Sequence, residues 1–84
     1  MLQDSLEAET RQALLNLQAI VEGAGASMAK IVKTTIYLTD MAAFPVVNQI
    51  YAGFVSEPFP ARETVAVAGL PRGARVEISC VVSL

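Results

Sequence analysis

Apolar residues recur every three or four positions between Leu6 and Ala24 (Leu6, Ala13, Leu14, Leu17, Ile20, Val21, Ala24), the spacing of one face of an α-helix. Asp4 with Glu7 three residues on resembles a capping box that opens such a helix, and Gly23 and Gly25 supply its stop. The period then changes. Ile31 to Thr39 is rich in β-branched and aromatic residues and predicts a strand. Val32, Thr34, Ile36 and Leu38 fall on one face of it, with Lys33, Thr35, Tyr37 and Thr39 on the other. Asp40 can cap a turn, and Pro45 suits the first turn of a second helix. In that helix Val47, Ile50, Tyr51, Phe54 and Val55 repeat at helical spacing and read as core. Two strands close the chain, Thr64 to Ala68 and Arg75 to Leu84, joined by the turn residues of Gly69-Leu70-Pro71-Arg72-Gly73-Ala74.

The order α-β-α-β-β predicts an α+β domain over residues 1–84, two helices packed on one face of a sheet. In the last strand Val76, Ile78, Cys80, Val82 and Leu84 share a face that should meet the helices. Glu77, Ser79, Val81 and Ser83 share the other, which should face a partner subunit or a cavity. An antiparallel hairpin of the two closing strands would set residues near 64–68 against residues near 75–79. Arg62 and Glu77 are then either close together or opposed across a subunit boundary.

Composition narrows the chemistry. The chain has 84 residues, 54% of them apolar, and a net charge of −2. A chain this short buries only about 60–65% of its unfolded surface alone, so this much apolar content points to an oligomer. No apolar run approaches the roughly 18–20 residues of a membrane span, and the acidic N-terminus does not read as a signal peptide. A cytosolic protein without a membrane or nucleic-acid partner is the expectation, since Arg62, Arg72 and Arg75 are too few to track a phosphate backbone. With no histidine and one cysteine, Cys80, most zinc sites, His-dependent triads and an internal disulfide are removed. Cys80, flanked by Ile78, Val81 and Val82, reads as a small core residue.

Arg62 closes the segment Glu57-Pro58-Phe59-Pro60-Ala61-Arg62, where two prolines restrict the backbone leading to a strand mouth. Its guanidinium is a fixed fork suited to a carboxylate or phosphate, or to closing a loop on backbone carbonyls or an exposed acid. Glu77 sits on a strand opposite the predicted core, where carboxylates are scarce. In a partly desolvated cleft it can act as a general base towards water; otherwise it is a solvated strand residue or the partner of Arg75 or Lys33. Thr64 can add a hydroxyl and a backbone N–H to the grip of Arg62.

The segments KTTIYLTDM, VNQIYAGF, PFPAR and LPRGARVEI, in this order, make the chain resemble the Rid family (RidA/YjgF, reactive intermediate deaminases) over nearly its whole length. The resemblance implies a chorismate-mutase-like fold assembled as a homotrimer with clefts between subunits. It implies hydrolysis of 2-imino acids such as 2-iminobutanoate and 2-iminopropanoate to 2-oxo acids and ammonia, without metal or organic cofactor. In those roles Arg62 would grip the substrate carboxylate and Glu77 would position or activate water. Two departures stand out. Rid proteins begin with a two-stranded hairpin whose tyrosine and glycine-containing strand line the cleft, whereas this chain starts at the first helix, as a truncated or divergent short member would. Many deaminase members also carry a cysteine at the position of Thr64. A non-catalytic small-carboxylate-binding or regulatory trimer is therefore the alternative expectation, and an RNA-directed role suits the acidic, histidine-free chain least.

Overall fold

The computed structural model describes residues 2–55, 57 and 59–83. The amphipathic stripe folds as helix α1, Leu2–Gly23. It begins two residues before Asp4, so the capping-box pair lies inside the helix rather than at its entry. Its end is a Schellman arrangement: Ala26 N–H bonds the Val21 carbonyl at 3.1 Å and Gly25 N–H the Glu22 carbonyl at 3.0 Å. Gly25 has φ +86°, the left-handed conformation that this motif requires and that a side chain disfavours.

The buried line of α1 is Leu6, Thr10, Leu14 and Val21. Thr10 is tolerated there because its hydroxyl donates to the Leu6 carbonyl at 2.8 Å. Ala13 and Leu17 are half-buried at the margin. Ile20, expected in the core, is instead 70% exposed, and Ala24 is exposed as well.

Strand β1, Ile31–Leu38, follows a short 3₁₀ turn at Met28–Lys30. Thr34, Ile36 and Leu38 face the helices as their alternation predicts. A register irregularity between Ile31 and Lys33 breaks that alternation at the strand's start. Ile31 takes the buried place and Val32 is left 50% exposed, against the expectation for Val32. Asp40 then caps the 3₁₀ turn Met41–Ala43 by accepting from Ala42 N–H at 2.9 Å. The turn runs into helix α2, Phe44–Ala52, with Pro45 in its first turn. Val47 and Tyr51 of α2 are buried, and Ile50, Phe54 and Val55 pack against the same cluster.

Strands β2, Ala61–Ala66, and β3, Val76–Val82, do not form the expected hairpin. The sheet order is β2-β1-β3, with β2 parallel to β1 and β3 antiparallel to it. The most β-branched strand, bearing the side chains with least access to water, takes the centre and gives both neighbours a partner. The long segment between β2 and β3, containing a 3₁₀ turn at Pro71–Gly73, allows the crossing that a tight turn would forbid. The rest of the architecture is the predicted α+β arrangement. Leu6 and Leu14 of α1, Val47 and Tyr51 of α2, Ile36 and Leu38 of β1 and Val76 of β3 close one core on one face of the sheet. No helix among the described residues is long and apolar enough to cross a membrane.

Candidate functional site

Arg62 is the second residue of β2 and pairs in register with Thr34 at the start of the buried stretch of β1. Side chains paired in register share a face, so Arg62 rises on the helix side of the sheet, beneath α2. There its Nη1 donates to Asn48 Oδ1. Its Cζ lies 5.4 Å from the Phe44 ring centre and 5.3 Å from that of Tyr51, within cation–π range of both. Phe44, Asn48 and Tyr51 stand at i, i+4 and i+7 on α2, which aims all three at the same spot.

Tyr51 is held in turn. Its hydroxyl and that of Thr34 are 2.6 Å apart in a buried hydrogen bond. The aromatic wall beside Arg62 is thus fastened to the central strand, and no buried side-chain polar atom among the described residues lacks a partner. Only Asn48 among the described residues accepts from the guanidinium, so its remaining N–H groups stay available for a two-point grip on an anion. Alongside lies a cleft of about 410 Å³ lined by Asn48, Tyr51, Ala52, Val55, Phe59, Pro60 and Arg62. Pro58, expected to stiffen this approach, falls outside the described residues. Thr64, two residues along β2 and in register with Ile36, is half-buried on the same face as Arg62.

Glu77 is placed elsewhere. On β3 it is paired in register with Tyr37 of β1 and sits between Val76 and Ile78, which pack towards the helices. Its carboxylate therefore belongs to the opposite, open face of the sheet, where it is exposed. The sequence left open proximity or opposition across a subunit boundary. Within one chain Arg62 and Glu77 are not brought together: β1 and the thickness of the sheet separate them. The ion pairs considered for Glu77 are formed by other acids. Lys33 Nζ is 3.3 Å from Glu63 Oε1, and Arg75 Nε is 3.0 Å from Glu9 Oε1.

Glu9 also accepts from the Arg75 backbone N–H at 2.6 Å, tying α1 to the entry of β3. Burial alone pushes its carboxyl up, but the Arg75 N–H and guanidinium outweigh burial and hold it below the ordinary glutamate range. Cys80 is half-buried on the helix face, and burial pushes its thiol up, away from the reactive thiolate.

Sequence reasoning missed Asn48, Phe44, Tyr51 and Thr34 as parts of this cluster. The available signal was an amide, Asn48, inside an apolar stripe, at helical spacing from two aromatic residues.

The profile of the family described as Endoribonuclease L-PSP matches residues 1–84. Reactive Intermediate Deaminase A, chloroplastic, of Arabidopsis thaliana is 46% identical over 81 residues, covering 96% of this chain and 43% of the relative. A 2-iminobutanoate/2-iminopropanoate deaminase of Salmonella typhimurium is 42% identical over 81 residues, covering 93% of this chain and 63% of the relative. Among solved structures, RidA from the Antarctic bacterium Psychrobacter sp. superposes with a TM-score of 0.89 at 41% identity, covering 93% of this chain and 63% of that one. The chain thus spans roughly half to two thirds of the length of these relatives.

Proposed function

The chain belongs to the RidA/YjgF (Endoribonuclease L-PSP) family, and on that premise we propose that it is an imine deaminase that hydrolyses 2-imino acids to 2-oxo acids and ammonia. The observation that carries this reading is the state of Arg62: clamped by Asn48 between two aromatic rings, with the rest of its fork open beside a cleft. A guanidinium fixed in this way loses little freedom on closing over a carboxylate. The names of the Arabidopsis and Salmonella relatives support the same reaction.

In this mechanism Arg62 holds the substrate carboxylate, and Thr64 lies on the same face to orient the imine. Glu77 is supplied by a neighbouring copy in a homotrimer, its open sheet face turned towards the cleft. The glutamate draws a proton from water as the water oxygen bonds to the imine carbon, and that proton passes to nitrogen as the C=N π pair closes onto it. The remaining hydroxyl proton is then carried to nitrogen by the same carboxylate as the C–N bond breaks; ammonia leaves with the bond's electron pair, and the carbonyl of the 2-oxo acid forms. No metal or organic cofactor takes part in these steps, and the proposed location is the cytosol.

The test is hydrolysis of enzymatically generated 2-iminobutanoate by wild type and Arg62→Ala, with oligomeric mass recorded on the same samples. Turnover lost in an otherwise intact assembly is expected; turnover that survives the substitution removes Arg62 from the mechanism. The placement of Glu77 on the far face favours a second reading, a non-catalytic carboxylate-binding trimer. That reading predicts that 2-oxobutanoate raises the Tm of wild type but not of Arg62→Ala, in a protein that turns over no imine.

A further inference from the structure

We infer that the cleft bounded by Tyr51, Ala52, Val55, Phe59 and Pro60 receives the side chain of the ligand gripped by Arg62, so that the site selects 2-oxo and 2-imino acids with a bulky apolar side chain over four-carbon ones. The inference rests on the proposed role of Arg62 as the carboxylate grip. The cleft's lining is polar and apolar in about equal measure: Arg62 and Asn48 supply polar groups, and Ala52, Val55, Phe59 and Pro60 supply apolar ones, while the Tyr51 hydroxyl is already bonded to Thr34. A ligand held by its carboxylate on Arg62 has those apolar side chains in the same cleft to meet its other end.

Size points the same way. The space of about 410 Å³ falls within the range of small-molecule pockets, roughly 300–1,000 Å³. A four-carbon oxo acid leaves most of it unfilled, and an unfilled apolar wall contributes nothing to binding. Phe59 is 64% exposed at the rim, an apolar surface that a larger ligand would cover. Ala52, at the last turn of α2, is the smallest side chain in the wall and keeps that space open. Each additional buried methylene strengthens binding roughly fourfold. The two extra carbons of 4-methyl-2-oxopentanoate should therefore tighten binding on the order of tenfold relative to 2-oxobutanoate.

The experiment is calorimetric titration of the full chain with each of these two acids, on wild type and Ala52→Phe, with imine hydrolysis followed on the same preparations. Ala52 is exposed, so a larger side chain there projects into the cleft without entering the core. A roughly tenfold preference for the branched acid in wild type, lost in Ala52→Phe, is the expected result. Equal affinities in wild type, or a preference that persists in Ala52→Phe, overturns the assignment. Failure of both acids to bind wild type removes the Arg62 grip and this pocket with it. Binding with the expected preference but without imine turnover leaves the pocket standing and defeats only the deaminase reading.

Discussion

Tyr51 serves through two different parts of its side chain. Its ring flanks the Arg62 guanidinium, and its hydroxyl fastens that ring to Thr34 of β1. Both hydroxyls are buried, so removing one leaves the other without a partner, at a cost of about 1–3 kcal/mol. Thr34→Val and Tyr51→Phe should each destabilise by that amount. The double variant should be close to the less harmful single one, giving a favourable coupling of about 1–2 kcal/mol in a denaturant-unfolding double-mutant cycle. Additive single effects would mean that the bond contributes little. This pairing was not legible in the sequence. Tyr51 was readable as core from its helical spacing, but which strand residue its hydroxyl meets depends on how α2 seats over β1, and nothing local encodes that. Arg62 was legible for the opposite reason: proline-restricted backbone and a lone guanidinium at a strand mouth are local features.

Elements built on strong periodicity formed as their patterns predict, and those set by pairing choices did not. Both helices, the central strand and the closing strands lie where expected, within a few residues at their ends. The closing hairpin fails because strand pairing is a competition. The chain between β2 and β3 is long enough to let each strand flank β1 instead, and that arrangement leaves β1 with partners on both edges. The bulge that exposes Val32 is likewise a pairing property, invisible to alternation counts. Joining α1 to the entry of β3 falls to Glu9 and Arg75. A carboxyl held below its ordinary pKa in the folded state contributes stability above the unfolded pKa and loses it as pH falls through the folded one. Glu9→Gln should therefore lower Tm at pH 7, and the gap to wild type should narrow as pH falls below the ordinary glutamate range and close once the folded-state carboxyl is protonated. A gap that stays constant across that window would show that the contact acts through packing rather than charge.

The two faces of the sheet divide the chain unequally. One carries both helices and the core; the other is open, with Val65 and Val81 exposed on it beside Lys33, Glu63 and Glu77. An open sheet face bearing apolar side chains favours association, and a cleft between copies there is where the proposed trimer would bring Glu77 to a ligand. Val81→Lys should shift the assembly towards the 8.9 kDa monomer in light scattering while leaving the far-ultraviolet circular dichroism unchanged. An unchanged mass would place the contact elsewhere. Because Arg62 and Glu77 occupy opposite sides of one sheet, each site of the proposed trimer would borrow from two molecules. Inactivity would then be a property of a pairing rather than of a chain. Arg62→Ala and Glu77→Ala, each silent alone, should regain part of the hydrolytic activity when unfolded and refolded together, as mixed assemblies reunite an intact arginine with an intact glutamate.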